Sequence, residues 1–204
     1  PGTTVIEFSL STLGRPPRSI DVSYIDVDNT NAAYNAVSHL IRSGHKRVGT
    51  ITGPSNSTVG MDRKEGYLRA LTTRGCRIDE TLIIAGDFSE ESGYYAMQQL
   101  LPAKPDAIFA ASDIMALGAM RAVREAGLNI PKDVAFVGFD DLPFATLSEP
   151  RLTSIRQPVT QFGFKAVEIL IDVIENGTQP ARRITMDTEL IVRDTCGVSY
   201  RKQG

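Results

Sequence analysis

The chain has 204 residues, 42% hydrophobic and 23% charged, which places it among ordinary globular domains with enough length to bury a substantial core. Lys plus Arg number 22 against 24 Asp plus Glu, so the net charge of −2 gives this segment no electrostatic reason to bind DNA tightly by itself. Cys76 and Cys196 stand far apart without CxxC or Cys/His spacing, which indicates neither zinc nor a disulfide framework, and no apolar run reaches the roughly 18 residues of a membrane helix.

In chain order, Pro1 to Leu10 is not a basic start followed by an apolar signal segment, and without an initiator Met the chain reads as a fragment. From Thr30 to Ser43, Ala33, Val37, Leu40 and Ile41 share one helical face, and Gly44 follows where a left-handed stop is wanted. Val48 to Ile51 is short, β-branched and closed by Thr52, Gly53 and Pro54, the pattern of a buried strand ending in a turn. A helix around Tyr67, Leu68 and Leu71 follows, and the alternation then recurs. Strands are expected at Leu82 to Ile84, Ala107 to Ala110 and Val134 to Val137, with helices at Glu91 to Leu101 and Asp113 to Ala126. Their spacing suits βαβ units of about 30 residues. Asp141 to Pro150 has no clean period. Leu152 to Ile155 reads as a strand, Pro158 opens a longer helix that Gly177 ends, and the tail carries two strand-like runs, Ile184 to Met186 and Leu190 to Val192. Apolar strands alternating with amphipathic helices imply a parallel sheet covered on both faces.

In such sheets the ligand crevice lies beyond the carboxyl ends of the strands, so the residues after each strand carry the functional information. Here they are polar: Thr52 to Ser57, Gly86 to Ser89, Ser112 with Asp113, and Gly138 to Asp141. Hydroxyls, an aromatic ring and carboxylates on one edge suit a polyol or sugar. The segment GPSNSTVG lacks the lysine a nucleoside triphosphate needs, and there is no GxGxxG. Arg63 can reach the crevice as a five-donor fork, or it is a surface ion pair with Asp62 or Glu65. Asp140 either binds a ligand or serves a turn or cap. Alternation along a strand keeps Asp140 and Asp141 from acting as a facing acid/base pair. Phe88, between Asp87 and Ser89, stacks on a ligand or packs in the core. Ser112 first reads as the N-cap of the following helix. His45 beside Gly44 reads as a helix-end cap, and with His39 it is too poorly spaced for a metal site. No activated nucleophile, metal motif or cofactor motif is visible, so an enzyme is not the expectation, nor is a cofactor.

Several strings, in order, resemble the LacI/GalR family of transcription regulators: VDN at 27–29, HLIRSGHKRVGTITGP from His39, DRKEGY from Asp62, GDFSEESGY from Gly86, IFAASDIMALGAMRAVREAGLNIPKDVAFVGFDD, PRLTSIRQP and LIVRDTCG. The resemblance implies an α/β fold: Rossmann-like parallel sheets flanked by helices, in a periplasmic-binding-protein-like architecture of two lobes, the N-terminal one incomplete. It assigns residues 29–156 and 182–200 to the C-terminal lobe and 1–28 and 157–181 to the N-terminal lobe. Effector contacts carried over by motif fall on Asp28, Ser57, Arg63, Phe88, Ser112, Asp140 and Gln157. Ser112 stands where many members have Asn, and Ser57 where purine-responsive members have a basic residue. Glu7 or Ser9 could also face the ligand.

The function so implied is effector sensing: a small molecule, a sugar or sugar acid, held between the lobes to control operator DNA binding through a helix-turn-helix head that is absent here. A cytoplasmic homodimer with no membrane partner is expected with it. A periplasmic sugar-binding protein of a transporter shares the fold and is the alternative; GHKRVGTITGP and IRQP favour the regulator.

Overall fold

Short β-branched runs and amphipathic stretches alternate in this chain, and the computed structural model, which describes residues 6–8, 23–177 and 180–197, turns each into an element. They run β1 (Ile6–Phe8), β2 (Ser23–Val27), α1 (Asn29–Arg42), β3 (Val48–Thr52), α2 (Thr58–Thr73), β4 (Ile83–Ala85), α3 (Glu90–Leu100) and β5 (Ala107–Ala110). Then come α4 (Asp113–Glu125), β6 (Ala135–Asp140), α5 (Pro143–Leu147), β7 (Thr153–Arg156), α6 (Val159–Asn176), β8 (Arg183–Met186) and β9 (Glu189–Ile191).

Six strands form one sheet in the order β4-β3-β5-β6-β7-β9, parallel except for β9, which runs antiparallel to β7. Every residue of β3, β5 and β6 is buried, as a strand covered on both faces requires. One face packs against α1 and α2, through Ala33, Val37, Leu40, Tyr67 and Leu71. The other packs against α3 and α4, through Met97, Leu100, Met115, Ala119 and Met120. A second, three-stranded parallel sheet, β1-β2-β8, is covered by α6, whose Phe162, Ala166 and Ile169 meet Ile25 and Val27. The chain passes between the sheets at Asp28, at Gln157 and Pro158, and at Asp187 and Thr188.

Four expectations shift. Leu82 closes a turn of 3-10 helix, which Asp79 caps by accepting from the Thr81 N–H, so the strand begins at Ile83. The sixth strand continues past Val137 to Asp140, and the aperiodic stretch after it holds the one-turn helix α5, opened by Pro143. The last strand ends at Ile191 rather than at Val192. Residues 183–186, expected with the larger lobe, pair in parallel with β2 in the smaller sheet, Ile184 beside Ile25 and Met186 beside Val27.

Close approach of α3 and α4 rests on two glycines. A Cβ on Gly118 would lie 2.9 Å from the Tyr94 backbone nitrogen and strike the Glu90 carbonyl, and one on Gly93 would lie 2.6 Å from the Cα of Met115. Backbone cannot swing aside as a flexible side chain can. Gly118→Ala is therefore expected to destabilise the fold by about 1–3 kcal/mol despite alanine's better helix propensity. Chemical denaturation checks this, and an unchanged or raised midpoint would show that the helices are free to separate.

Candidate functional site

Chain order reverses direction at β3: β4 lies on one side of it and β5 on the other, so the crevice between the carboxyl ends of β3 and β5 is the topological switch point. Arg63 sits in this crevice. It comes from α2, which Ser57 caps by accepting from the Gly60 N–H, and it occupies the buried stripe that includes Val59, Tyr67 and Leu71. A position of that phase normally takes a leucine; here it delivers a guanidinium only 1% exposed. The surface ion pair with Asp62 or Glu65 is thereby ruled out.

The guanidinium is held from several sides. Its Nε donates to Asn29 Oδ1 at 2.9 Å and its Nη1 to the Ala111 carbonyl at 2.6 Å. Nη1 also lies 3.5 Å from Asp140 Oδ1, and the group sits 3.5 Å over the Phe139 ring. Gln157 Nε2 donates to Asp140 Oδ1 at 2.7 Å, and Asn29 Nδ2 donates to Asp26 Oδ1 at 3.0 Å. Arg63, Asp140 and Gln157, all expected from sequence, are thus one cluster. Burial pushes the Arg63 pKa down, opposed by the charges of Asp140, Asp26 and Asp113. Burial likewise pushes the Asp140 carboxyl up, against the pull of Arg63 and the Gln157 hydrogen bond.

The remaining expected residues surround this cluster in different roles. Ser112 caps α4, accepting from Met115 at 3.2 Å. Asp28 is exposed and caps α1, accepting from Asn31 at 2.8 Å; it also lines a 250 Å³ depression with Asp26, Asn29, Asp62 and Thr185. Phe88 is half-buried against the α3–α4 side of the core, as its packing reading expects, and its ring lies where a Gly53 side chain would go. Glu7 lies on β1, with its side chain outside the described part of the chain, as is Ser9. His45 caps the end of α1 as expected, its backbone N–H donating to the Leu40 carbonyl, and its buried ring lies 3.4 Å from the Cys196 carbonyl.

Asp26, Asn29 and the Ala111 carbonyl escaped sequence reasoning, which placed Asp113 at a strand end without giving it a role. Asn29 had one usable signal, since it follows the strand of VDN directly. Asp113 supports the loop that carries Asp140: its Oδ1 accepts from Ser154 Oγ at 2.6 Å and its Oδ2 from the Leu142 N–H at 2.9 Å. Gly138 leaves room for that carboxyl, because a Cβ there would collide with Asp113 Oδ1. Burial, reinforced by the charges of Asp140 and Asp141, pushes Asp113 from 3.8 up to about 7. Asp140 and Asp141 adopt positive φ, 112° and 55°, which turns them apart: Asp141 meets Arg156 at 2.7 Å and Arg193 at 2.6 Å.

These groups form a polar, water-excluding cluster with no nucleophile, suited to holding hydroxyls. Among the described residues, no group of three or more His, Cys, Asp or Glu could hold a metal ion, and no helix is long and apolar enough to cross a membrane. Two larger hollows, of 380 and 470 Å³, lie at the opposite, amino-terminal edge of the large sheet and include none of the cluster.

Residues 37–196 match the family model described as a periplasmic binding protein-like domain. The transcriptional regulator CelR of Thermobifida fusca is 43% identical over 176 residues, 85% of this chain and 52% of that protein. The solved CelR–cellobiose complex superposes with a TM-score of 0.86 at 40% identity, covering 93% of this chain and 58% of that one. A sugar-binding regulator of the LacI family from Escherichia coli, solved with phosphate, gives 0.77 at 31% identity over 87% of this chain and 69% of its own. The chain spans about half the length of the curated relatives it matches.

Two measurements test the cluster. Arg63→Met leaves Asp140 buried without its cation, and is expected to cost about 3–5 kcal/mol; adding Asp140→Asn to it should recover part of that loss in a double-mutant cycle. Strictly additive effects would mean that the two side chains do not interact. For Asp113 the raised folded-state pKa means its contribution is full below about pH 4. The unfolded chain then loses its proton first, so stability falls as pH rises, by at most about 1.4 kcal/mol per unit, until about pH 7. Asp113→Asn, whose amide can accept from Leu142 and donate to Ser154, should flatten this fall in urea denaturation across that range, leaving any share due to Asp140. An unaltered pH profile would place the proton elsewhere.

Proposed function

The chain belongs to the periplasmic-binding-protein-like family of LacI-type transcription regulators, and on that premise we propose that it is the effector-sensing part of such a regulator, binding a carbohydrate in the crevice around Arg63 and Asp140. In this reading the six-stranded sheet with its helices is one lobe, and the three-stranded sheet with α6 is part of the other. Operator DNA is contacted by a helix-turn-helix head upstream, and the working unit is a cytoplasmic homodimer. Asp140 and Arg63 hold the ligand, Gln157 and Asn29 orient them, and Asp28, Ser57, Phe88 and Ser112 line the rim.

One observation carries the reading: the buried cluster takes two of its members from the segments that join the two sheets. Asn29 directly follows the first crossing, and Gln157 lies in the second. A ligand that exchanges hydrogen bonds with Arg63 or Asp140 therefore acts on groups bonded directly to those crossings, and a difference in its affinity for two arrangements of the sheets is what shifts a regulator between DNA-binding states. The cellobiose complex of CelR supports a carbohydrate as effector class.

Thermal unfolding of the full-length protein against a carbohydrate panel is the direct experiment, paired with operator binding by fluorescence anisotropy. A sugar at 100 times its Kd is expected to add about 2.7 kcal/mol of stability and to change operator affinity, both effects being lost in Asp140→Ala. If no carbohydrate stabilises a correctly folded protein, the effector is of another class.

A further inference from the structure

We propose that the 380 Å³ hollow at the amino-terminal edge of the large sheet is a second ligand site, which takes a small carboxylate with an apolar body. It is separate from the crevice around Arg63. Helix α2 connects the two, with Arg63 near its start and Leu71, which lines the hollow, about 12 Å further along the axis.

The hollow forms where the ends of α1 and α2 meet the start of β3, and its inner wall is apolar. Val48, Leu71 and Leu82 are buried there, and Ile41 packs against the cluster that holds the first two. The carboxyl end of a helix ordinarily disfavours an anion, but here those carbonyls are engaged. Leu40 and Ile41 accept from the N–H groups of His45 and Gly44, and Leu71 accepts from those of Arg74 and Cys76.

The rim is cationic: Lys46, Arg47 and Arg77 line the hollow against one acid, Asp79. That acid is already committed. Its Oδ1 accepts from the N–H and the hydroxyl of Thr81, and its Oδ2 from Arg47 at 3.3 Å. Arg47 is held further by the Ala103 carbonyl, to which its Nη2 donates at 2.7 Å. Nearby Asp106 accepts the backbone N–H groups of Lys46 and Arg47 and lies 3.8 Å from His45 Nδ1. The ammonium of Lys46 and the guanidinium of Arg77, both on exposed residues, meet no acceptor among the described residues. Two open cations at the mouth of an apolar wall suit a carboxylate whose hydrocarbon part enters the hollow. Its charge then stays at the rim, where water still reaches it, and only carbon is desolvated. A neutral apolar molecule would leave the cations unused, and a bare phosphate would leave the wall to water.

Cys76 supplies the readout, because its thiol is half-buried in the lining of the same hollow while Cys196 is fully buried. The test is alkylation of the full-length protein by iodoacetamide at fixed pH, followed by mass spectrometry of the peptide that contains Cys76. Hexanoate and phenylacetate are the probes; hexanol, phenylethanol and inorganic phosphate are the controls. Either carboxylate is expected to slow alkylation at least about threefold, the protection given by a probe at twice its Kd, and the controls to slow it markedly less. In the double variant Lys46→Gln with Arg77→Gln, each rate being taken relative to that variant without probe, the protection should be lost. Equal protection by hexanol would overturn the inference by showing that the cations take no part, and equal protection by phosphate by showing that the apolar wall takes none. Protection that survives the double substitution, or no protection by either carboxylate, would overturn it as well.

Discussion

A cation in a helix position meant for the core is the constraint on which this crevice depends. Once α2 places Arg63 on its buried stripe, the guanidinium must find acceptors where water cannot reach, and the structure supplies them from separate parts of the chain. Asn29 comes from the start of α1, the Ala111 carbonyl from the end of β5, and Asp140 from the end of β6. Each is a point where a strand hands over to the next element, so satisfying one charge fixes several loop conformations at once. The Phe139 ring beneath the guanidinium completes the enclosure at little cost in desolvation, since its π face attracts the charge it covers.

Asp140 stands where this cluster meets the connections between the sheets. Its φ of 112° is one that L side chains rarely adopt, and the neighbouring Asp141 is at 55°. Such backbone persists when several contacts over-determine it, and here those contacts are visible: Gln157 on Asp140, Arg156 and Arg193 on Asp141, and Asp113 on the following N–H of Leu142. The strained pair thereby sends one carboxylate toward the crevice and the other into an ion-pair cluster that ties β7 to the segment after β9. One apolar cluster runs from Ile25 and Val27 of the small sheet to Val137, Phe139 and Ile155 of the large one, and the hydrogen bonds of Asn29 and Gln157 sit at the crossings beside it.

Much of this was legible in the sequence because periodicity reports burial. The alternation of apolar runs gave nearly every element of the large sheet, and the crevice residues followed from where the strands end. Arg63 shows the limit. Its phase with Val59, Tyr67 and Leu71 was there to be read, yet the usual solvation of arginine outweighed a pattern that placed it inside. The acceptors that make its burial possible were not readable, because a backbone carbonyl such as that of Ala111 leaves no mark on sequence. Asp113 was hidden for a related reason: an acid after a capping serine looks like an ordinary first-turn residue, and only the approach of Ser154, Leu142 and Gly138 from distant elements removes its water. Residues 183–186 fall in the other sheet from the one expected because a short strand carries no label naming its partner, and the pairing with β2 is a long-range contact.

In the proposed role, the chemistry of the crevice also bears on why a sensor should bury a charged group at all. An apolar residue at position 63 would pack α2 against the sheet without desolvating a charge, and replacing buried ion pairs by hydrocarbon is often neutral or stabilising. Such a core would, however, be indifferent to a polar ligand. A guanidinium and a carboxylate held 3.5 Å apart would, in that role, be a pair that a hydroxyl could bridge, donating to one and accepting from the other. The energy such a ligand gains depends on how well the surrounding loops hold the pair, and those loops include the crossings between the sheets. Under that proposal, binding energy at this point would be coupled to the relation of the two sheets through the hydrogen bonds of Asn29 and Gln157, and a variant that stabilised the crevice with an apolar side chain would remove the means by which a ligand is felt.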